Sequence, residues 1–559
     1  MQIKYAIRNL RVIKSSPFIE LKPLTIVVGR NSGGKSTFVR TFPLLKQSIE
    51  TRSSAPVLWW GDDVDFGDFK TSVHNRDLAS EISFHFKVKN EGVGRRISSE
   101  AWDDEVNLWN APSAVKRDIA GSEYKLSIFV GADGERTVRR RVEIDVRRRA
   151  KLLVEFDSTG RTSKDVFVEG TRISELLDGF AFFFPESNLF SRPMPVRKLR
   201  DEGRTLRRGI NLQQAVTQEI ASAVRPLIDP RTATETILAH AQMLLSLPSM
   251  DRSALEALCD RTTKVTFKKL FRKFAASAED PSLRRIRSLG QLYYTFLSLS
   301  IASERLREVF ASTSYLKPVR VRGERFTRAQ ELEISEVSPD GSNLPIFLAS
   351  LNKEERADFS SWVNGLFGYG VDVSTGGGQI SIVLVKDGFN VSLADTGYGI
   401  SQILPVLAKT WWAFHSGRRA RMRGNNHVLP QPIVMEQPEL HLHPAHQAKL
   451  ADVFLDALRR SKGIGSPIFI VETHSETLIN RLGEMIEADQ SLKDLVQVVV
   501  FSETETQARS KLTRGESEKE DAMRSELLIG DQGISISVAT FDADGVLQNW
   551  PYGFFGYTE

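Results

Sequence analysis

The chain has 559 residues, of which 41% are hydrophobic and 26% charged, as is typical of a soluble globular protein with two to four domains. Its net charge of +5 is small for this length and does not by itself identify a partner. One cysteine, Cys259, excludes an internal disulfide framework. No apolar run reaches the roughly eighteen residues of a membrane helix, and Met1–Arg8 lacks a secretion core, so we expect a cytoplasmic protein without membrane contact.

The first informative element is a glycine-rich loop that follows the apolar run Leu24–Val28. A helical pattern continues after it from Thr37 to Ser48. This order of strand, loop and helix is typical of a phosphate-binding loop, or Walker A motif, in which backbone N–H groups face a triphosphate. Lys35 would reach the β- and γ-phosphates, and the Ser36 hydroxyl would hold Mg²⁺. The predicted nucleotide contacts are Gly29, Asn31, Gly33, Gly34, Lys35, Ser36 and Thr37.

The middle of the chain changes from strand-like to helical patterns. Alternating apolar residues, as in Ile82–Val88 and Val142–Phe156, predict strands before about residue 204. From about 205 to 313 the apolar spacing is three and four, and prolines divide the region into short helices. No sustained heptads are present, so we expect a compact helical insertion rather than a long coiled coil.

A short segment rich in small residues, Leu393–Gln402, leads into an apolar helix. It contains Gly397, Gly399 and Ser401, whose backbone N–H groups at a helix start suit contact with a phosphate. Taken alone, the segment is equally well explained as a helix cap after a strand.

Two buried-strand patterns near the end of the chain are each followed by polar residues. Pro432–Met435 precedes Glu436-Gln437-Pro438-Glu439, and Ile468–Val471 precedes Glu472-Thr473-His474-Ser475. Ligands sit at the carboxyl ends of strands in parallel α/β sheets. We therefore predict that Glu436 supports Mg²⁺ as a Walker B carboxylate and that His474 contacts the γ-phosphate or the attacking water.

With these motifs, the chain resembles the ABC-type ATPases of the SMC and overcoming-lysogenization-defect group. Within that group it is most similar to the ATPases of anti-phage systems, such as the PtuA subunit of Septu and its retron-associated relatives. The resemblance includes Gly61–Asp68, Tyr315–Arg320 and Trp550–Phe555, and it covers about 1–90 and 310–559. It implies an α/β fold: an ABC-type P-loop ATPase head with a mixed β-sheet, interrupted by a largely helical insertion.

The residue patterns divide the chain into four parts, and the resemblance implies a mode of assembly. Residues 1–95 would form the first part of the ATPase core, 96–204 a strand-rich basic insert, 205–313 a helical insertion for partner docking, and 314–559 the second part of the core. In such ATPases a signature motif completes the nucleotide site of the opposite subunit. Gly397, Gly399 and Ser401 match its location, although the sequence departs from the usual Leu-Ser-Gly-Gly-Gln. A head-to-tail homodimer or higher oligomer is therefore expected.

The residue after the Mg²⁺ carboxylate departs from most ABC-type ATPases. It is Gln437 where a glutamate usually activates water, and an amide can orient water but cannot take its proton. Glu439 or His474 would then supply the base, or hydrolysis would simply be slow. The sequence predicts a slow Mg²⁺-dependent ATPase that acts as a nucleotide-gated switch, with Glu436, Gln437, Glu439 and His474 as the catalytic set.

The chain end offers acidic residues that superficially match a metal-dependent nuclease. Asp542-Ala543-Asp544-Gly545 and Glu503 are the groups concerned, but an Asp-x-Asp-Gly run between short strands is also typical of a hairpin turn. We expect the turn, and we do not expect the chain itself to be a nuclease.

Basic residues occur in clusters that could contact nucleic-acid phosphates or an acidic protein. Nearby acids such as Glu143 and Asp145 could instead neutralise them. The clusters are Arg136–Lys151, Arg197–Arg200, Arg204 with Arg207 and Arg208, Lys268–Lys273, Arg284–Arg287 and Arg418–Arg423.

The resemblance favours one function over two others. The favoured function is an ATP-dependent regulatory subunit of a Septu- or retron-type defence complex that controls an HNH nuclease such as PtuB. A reverse transcriptase with its RNA–DNA product would join it in retron-associated versions. The main alternative is an SMC-like repair or recombination ATPase that acts on DNA without a dedicated nuclease, and the third is the ATPase half of a transporter.

Overall fold

The computed structural model describes most of the chain as two compact units. The described residues are 1–30, 33–89, 111–201, 204–277, 279–320, 324–330, 334, 336–396, 398–422, 429–461, 467–503 and 534–550. Unit 1 comprises Met1–Ala6, Thr51–Leu58 and Asp77–Arg307, and unit 2 comprises Ile7–Glu50, Trp59–Arg76 and Glu308–Glu559.

The strands in chain order are β1 (Gln2–Leu10), β2 (Ile13–Ser15), β3 (Ile19–Glu20), β4 (Leu24–Gly29), β5 (Ile82–Lys89), β6 (Glu123–Asp133), β7 (Arg136–Val146), β8 (Ala150–Phe156), β9 (Ser163–Val168), β10 (Thr171–Arg172), β11 (Phe180–Phe183), β12 (Met194–Asp201), β13 (Arg204–Gly209), β14 (Ser314–Leu316), β15 (Thr327–Arg328), β16 (Gly370–Gly376), β17 (Gln379–Lys386), β18 (Phe389–Ser392), β19 (Gln431–Glu436), β20 (Pro467–Glu472), β21 (Val496–Glu503), β22 (Ile534–Phe541) and β23 (Leu547–Gln548).

The α-helices are α1 (Lys35–Val39), α2 (Thr41–Glu50), α3 (Phe69–Ser72), α4 (Ser113–Gly121), α5 (Leu212–Val224), α6 (Thr234–Leu245), α7 (Arg252–Arg261), α8 (Val265–Ala276), α9 (Pro281–Ala311), α10 (Leu344–Ser350), α11 (Lys353–Phe367), α12 (Tyr398–Met422), α13 (Pro444–Arg460) and α14 (Glu476–Ala488).

Unit 2 contains a mixed sheet whose strand order is β14-β19-β20-β4-β21-β22-β23. The strands from β14 to β21 run parallel, and β22 and β23 are added antiparallel. Every residue of β4 and of β20 is buried, which explains why both read as continuous apolar runs rather than as alternating ones. The strand before the glycine-rich loop, β4, thus lies beside two strands, β20 and β21, that come more than four hundred residues later in the sequence.

A smaller antiparallel sheet in unit 2 leads the chain into α12. Strand β17 pairs with β15, β16 and β18, and β18 ends immediately before the short turn that precedes α12. Leu404, Leu407 and Trp411 of α12 belong to a large apolar core that also includes residues of β4, β19 and β20. This packing fixes the start of α12 beside the carboxyl ends of the parallel strands.

Unit 1 combines an antiparallel sheet with helices. Its strands pair in the order β5-β6-β7-β8-β9-β10, and β11, β12 and β13 form a separate three-stranded sheet. Helices α5 to α8 follow, and α9 then runs for 31 residues into the beginning of unit 2. In the core of this unit the His240 ring stacks on Phe267 with centroids 3.7 Å apart.

The expected fold class is confirmed, since the structure is α/β with a mixed sheet and a largely helical segment between the two parts of that sheet. Helices occupy most of residues 212–311, as the spacing of three and four predicted. The described strands beyond residue 490 are β21, β22 and β23. No described helix is long and apolar enough to cross a membrane.

Candidate functional site

The glycine-rich loop joins β4 to α1, as the sequence predicts. Gly29 is the last residue of β4, and a Cβ atom there would lie 2.4 Å from the carbonyl oxygen of Phe501 in β21. Gly34 caps α1 with φ 89°, a conformation that side chains other than glycine rarely adopt. Both glycines are therefore required by the backbone path. Asn31, a predicted contact, lies outside the described residues.

The Lys35 side chain is folded back onto the loop itself. Its ammonium group donates hydrogen bonds to the carbonyl oxygens of Gly29 at 2.7 Å and Arg30 at 2.6 Å. Burial lowers the pKa of Lys35, while the carboxylate of Glu472 acts in the opposite direction. A buried cation thus lies against the loop, with carbonyl oxygens as its present partners.

The carboxyl ends of β19 and β20 place two glutamates side by side. Glu436 and Glu472 are partners in the parallel register, and both are at least 97% buried. Arg40 donates two hydrogen bonds to Glu436, at 2.8 and 2.7 Å, and the Tyr315 hydroxyl donates a third at 2.5 Å. The hydrogen bonds to Glu436 raise the pKa of Arg40. Glu436 is therefore held as one half of a hydrogen-bonded ion pair.

Glu472 has weaker partners than Glu436. The Ser36 hydroxyl donates to one of its oxygens at 2.8 Å, and the other oxygen has no hydrogen-bond partner among the described residues. Burial, reinforced by the charge of Glu436, raises the pKa of Glu472 to about 7. The sequence predicted Ser36 and Glu436 as metal ligands, yet in this structure the hydroxyl of Ser36 contacts Glu472.

These groups fit a divalent cation. Hydroxyl and carboxylate oxygens are the ligands that Mg²⁺ prefers, and Glu472 carries a buried oxygen without a hydrogen bond. Two adjacent buried carboxylates also favour a positive ion between them, because their mutual repulsion is relieved. Ser36 and Glu472 are the pair in contact, and Glu436 lies beside them in the same register.

The loop after β19 carries the predicted catalytic residues Gln437 and Glu439. Gln437 has φ 43°, which is unusual for a residue other than glycine, and its N–H donates to the carbonyl oxygen of Glu472 at 2.8 Å. One carboxylate oxygen of Glu439 accepts a hydrogen bond from the main-chain N–H of His474 at 2.7 Å. Burial raises the pKa of Glu439. Glu439 therefore ties the loop after β19 to the loop after β20.

His474 lies next to the glycine-rich loop, as predicted from its position after a strand. Its side chain is exposed. Partial burial, together with the charge of Lys35, lowers the pKa of His474, so the ring is neutral at pH 7 and can donate from one nitrogen and accept at the other.

The start of α12 lies against the loop after β19. A Cβ atom on Gly399 would be 3.2 Å from the carbonyl oxygen of His441. Ser401 is 6% exposed and Gln402 is fully buried. Gly397, the third residue predicted for this segment, lies outside the described residues.

Four site residues were not predicted from the sequence: Arg40, Tyr315, Arg320 and Glu472. A signal was available for two of them. Glu472 ends a buried strand in the same way as Glu436, and Arg40 follows Ser36 by four residues, which places both on one face of a helix. Tyr315 and Arg320 lie in a segment that the resemblance includes, but no chemical motif marks them as site residues, because only the fold brings them to Glu436.

The acidic run near the chain end forms a hairpin turn, as expected. One Asp542 oxygen accepts from the N–H groups of Asp544 and Val546, and β22 pairs with β23 on either side. No cluster of three metal-binding side chains occurs among the described residues. Glu503 is described only by its backbone.

Basic residues of the Arg136–Lys151 cluster have partners within unit 1. Arg139 is buried and donates to main-chain carbonyl groups, Arg141 pairs with Glu81 and Glu143, and Asp145 pairs with Lys151. The expectation that Glu143 and Asp145 pair with basic residues is thus confirmed. The side chains of the Arg418–Arg423 cluster lie outside the described residues.

One cluster retains like charges that face each other. Arg197 pairs with Arg208 and Lys198 with Arg207 across β12 and β13, an arrangement that is destabilising unless anions are nearby. Arg197, Arg207 and Arg208 are exposed, and no ion pair to them is found within the described part of the chain.

Part of the chain is similar to a known protein family. The AAA ATPase domain family matches residues 210–479, a range that includes the start of α12, Glu436 and His474 but not the glycine-rich loop. No curated protein matches the chain.

Three similar solved structures are heads of SMC proteins. The first is an SmcHead bound to the C-winged helix domain of ScpA, with 10% identity, coverage of 96% of this chain and 97% of that chain, and a TM-score of 0.32. The second is an Smc head with an extended coiled coil bound to the C-terminal domain of ScpA, from Pyrococcus furiosus, with 11% identity, 97% of each chain covered and a TM-score of 0.32. The third is the SMC head domain from Thermotoga maritima, with 8% identity, 90% and 95% coverage and a TM-score of 0.30.

The family match and the loop geometry agree on one point. A glycine-rich loop that follows a buried strand and precedes a helix carrying Lys35 and Ser36 is the arrangement that binds nucleotide phosphates. The matched residues include β14, β19 and β20 of the same sheet. Residues 210–479 are therefore similar to an AAA ATPase domain, and the strand, loop and helix order predicted for a P-loop fold is confirmed.

Proposed function

We propose that unit 2 binds Mg-ATP and hydrolyses it slowly, so that the nucleotide acts as a switch. The observation that carries this proposal is the meeting of Lys35, Ser36, Glu436 and Glu472 at one edge of the sheet, with Gln437 directly after Glu436. The cation and hydroxyl suit a triphosphate with its metal. Because an amide cannot accept the proton of an attacking water, the site is built to hold the nucleotide longer than it would with a glutamate at 437.

Each side chain has a distinct role in this proposal. Lys35 exchanges the carbonyl oxygens of Gly29 and Arg30 for phosphate oxygens when the nucleotide enters. Ser36, with Glu472 and Glu436 beside it, would hold Mg²⁺, which would supply positive charge to the phosphates. His474 contacts the γ-phosphate through its neutral ring, and Gln437 orients the attacking water.

Two carboxylates are candidates for the general base. Glu439 has one oxygen without a hydrogen-bond partner in the described part of the chain, and its raised pKa makes it a better proton acceptor than an ordinary glutamate. Its other oxygen is committed to His474, so proton transfer and the position of His474 are linked. Glu472 is the second candidate, but in the presence of Mg²⁺ its charge is used to hold the ion.

The proposal includes pairing of two chains. Gly399 and Ser401, with Gly397, would contact the nucleotide of the opposite subunit, as the resemblance to ABC-type ATPases implies. Since Ser401 is buried in the single chain, this contact requires the start of α12 to shift when the subunits meet.

At the level of the cell, we propose a regulatory subunit of an anti-phage defence complex. The support is the resemblance to Septu and retron-associated ATPases, together with the hairpin geometry of Asp542–Gly545, which favours a nuclease on a separate subunit. Residues 205–313 would dock that HNH nuclease, and a reverse transcriptase with its RNA–DNA product would add to the assembly where one is encoded.

The test is co-purification of this chain with the products of its neighbouring genes, followed by nucleic-acid cleavage assays with and without ATP. We expect stable association with a nuclease whose cutting depends on nucleotide. The Lys35→Ala variant should associate but lose the nucleotide dependence. A solitary chain without a nucleotide-dependent partner would overturn the regulatory proposal while leaving the ATP site untouched.

A second candidate, a repair or recombination ATPase acting on DNA, is favoured by the facing arginines of β12 and β13. Arg197 and Arg208 are exposed and opposite each other, so a phosphate backbone would relieve their repulsion. This candidate predicts that DNA raises ATP turnover and that Arg197→Gln with Arg208→Gln removes the effect. Turnover that is indifferent to DNA would exclude it.

A further inference from the structure

The segment from Tyr315 to Arg320, here called the bridging segment, lies between α12 and β19. Its first residues belong to β14, where Tyr315 pairs with Val434 of β19 in parallel register. The Tyr315 carbonyl oxygen accepts a hydrogen bond from Lys409 of α12 at 2.7 Å, while its hydroxyl donates to Glu436. One residue therefore contacts both the helix and the carboxylate.

Arg320 makes the same connection through main-chain groups. Its side chain is 1% exposed, and its guanidinium group donates to the carbonyl oxygens of Gln402 at 3.2 Å, Glu436 at 3.2 Å and Gln437 at 3.0 Å. The Gln402 side chain returns a hydrogen bond to the Arg320 carbonyl oxygen at 3.1 Å. Burying a guanidinium group is unfavourable unless its donors are used. Its planar set of five donors suits several carbonyl groups at once, which the single ammonium of lysine does not match.

One of these carbonyl groups belongs to a strained residue. Gln437 adopts φ 43°, a conformation that costs a non-glycine residue free energy and persists only when its surroundings hold it. Three hydrogen bonds do so: Arg320 and the N–H of Leu440 donate to its carbonyl oxygen, and its own N–H donates to the carbonyl oxygen of Glu472. Arg320 is the side chain among these partners, so it contributes to the position of Gln437.

The third carbonyl group belongs to Gln402, which directly follows Ser401. A movement of the first turn of α12, of the kind that contact with a partner subunit requires, would move an acceptor that Arg320 holds. The same guanidinium group would then change its hold on Glu436 and Gln437.

We propose that Arg320 is a positioning residue that couples the first turn of α12 to the water-orienting main chain at Glu436–Gln437. The inference rests on the proposed function, since it assumes hydrolysis at this site and pairing through α12. It assigns the bridging segment a regulatory role: ATP turnover responds to subunit pairing through Arg320, and Tyr315 fixes Glu436 at the other end of the segment.

The test compares Arg320→Lys and Arg320→Gln with the control Lys317→Gln. Lys317 lies in the same segment and also donates to one main-chain carbonyl, that of Asp62 at 2.9 Å, but at the surface. We expect both Arg320 variants to lose about tenfold or more in kcat, with the Kd for a non-hydrolysable ATP analogue changed less than about twofold. Turnover per subunit should rise with protein concentration in the wild type and in Lys317→Gln, and become flat in the Arg320 variants.

A second measurement does not depend on hydrolysis. The amide of Gln437 is hydrogen-bonded in the free protein, so hydrogen exchange of peptides covering 437–442 and the first turn of α12 should accelerate together in Arg320→Lys. If the Arg320 variants do not fold, Gln402→Met gives the same readouts with smaller expected changes, because it removes only the returned hydrogen bond. Unchanged kcat and unchanged exchange in these variants would overturn the coupling, and a parallel loss of ATP affinity and thermal stability with an unchanged concentration dependence would reduce Arg320 to a structural role.

The outcome for Arg320 can be separated from that of the proposed function. A wild-type protein that binds no ATP overturns both. A wild-type protein that hydrolyses ATP while Arg320→Lys behaves identically overturns only the coupling.

Discussion

The ends of β19 and β20 look alike in the sequence and differ in the structure. Each strand is a short apolar run closed by a glutamate, and the two glutamates are adjacent in register. Glu436 is paired with Arg40 and Tyr315, whereas Glu472 has the neutral hydroxyl of Ser36 and a pKa raised to about 7. The same sequence pattern thus gives one carboxylate that protein side chains pair and one that keeps an oxygen available to a ligand. Side chains from distant parts of the chain cause this difference.

The largest effect is expected from Lys35→Ala, which removes the cation near Glu472 and leaves the partners of Glu436 in place. Each charge-assisted hydrogen bond to a phosphate contributes about 1.5 to 3 kcal/mol, so the loss of two should weaken ATP binding by at least about a hundredfold. Titration calorimetry with a non-hydrolysable analogue measures this. Lys317→Ala is the matched control and should bind normally; equal loss in both variants would show that the effect is not local.

Glu436→Gln removes the negative charge that pairs with Arg40, so it should lower the stability of the protein even when no ligand is bound. Arg40 would keep its charge but lose the carboxylate that accepts two of its hydrogen bonds, and its side chain is only 33% exposed. We expect the free energy of unfolding to fall by about 2 kcal/mol in urea denaturation without nucleotide.

The control for that change is Glu484→Gln. Glu484 pairs with Arg481 at the surface with 63% of its side chain exposed, so its loss should change stability by less than about 0.5 kcal/mol. Similar values for Glu436→Gln and Glu484→Gln would contradict the view that Glu436 is fixed by a partly buried pair.

Lys409 supports the surroundings of Glu436. Its ammonium group donates a hydrogen bond to the main-chain carbonyl of Tyr315, whose hydroxyl contacts Glu436. Burial lowers the pKa of Lys409 to about 8, against the effect of Glu336, while Lys46 and Asp63 also face it. Between that pKa and the ordinary 10.5, the unfolded chain binds more protons than the folded one, so stability increases with pH. The wild type should therefore gain about 1 kcal/mol over Lys409→Met between pH 7.5 and 9.

Paired denaturation curves at several pH values measure this gain. Lys317→Met, which removes a lysine from the surface, should run parallel to the wild type across the same range. A constant difference between the wild type and Lys409→Met at all pH values would mean that Lys409 does not change its protonation in this window.

The smallest effect on stability is expected from Glu472→Gln. The glutamine keeps the shape and can still accept from Ser36, and it removes the repulsion from Glu436, so the free energy of unfolding without metal should change by less than about 1 kcal/mol or increase. Mg²⁺ should stabilise the wild type against heat more than it stabilises this variant. Equal stabilisation of both by Mg²⁺ would contradict the assignment of Glu472 to the ion.

The sequence predicts the parts of this site that depend on local order. A strand, a glycine loop and a helix come in succession around Lys35, and Glu436 and His474 follow buried strands, so periodicity and spacing are enough to place them. The partners are different. Tyr315 and Arg320 lie in a segment with no chemical motif, and they reach Glu436 only because β14 is added beside β19. Likewise, the burial of Ser401 follows from how α12 packs, which spacing does not reveal.

The order of the strands has a consequence for synthesis of the protein. The phosphate loop follows β4. The two strands that pair with β4 are β20 and β21, and they end at Glu472 and Glu503. At roughly 5 to 20 residues per second, a ribosome needs on the order of a minute to make the intervening segment. Until then β4 lacks its two neighbouring strands, and Gly29 has no contact with Phe501. We therefore expect that a nascent chain does not hold a nucleotide until β21 has been made, and that any activity that depends on the nucleotide begins only after that point.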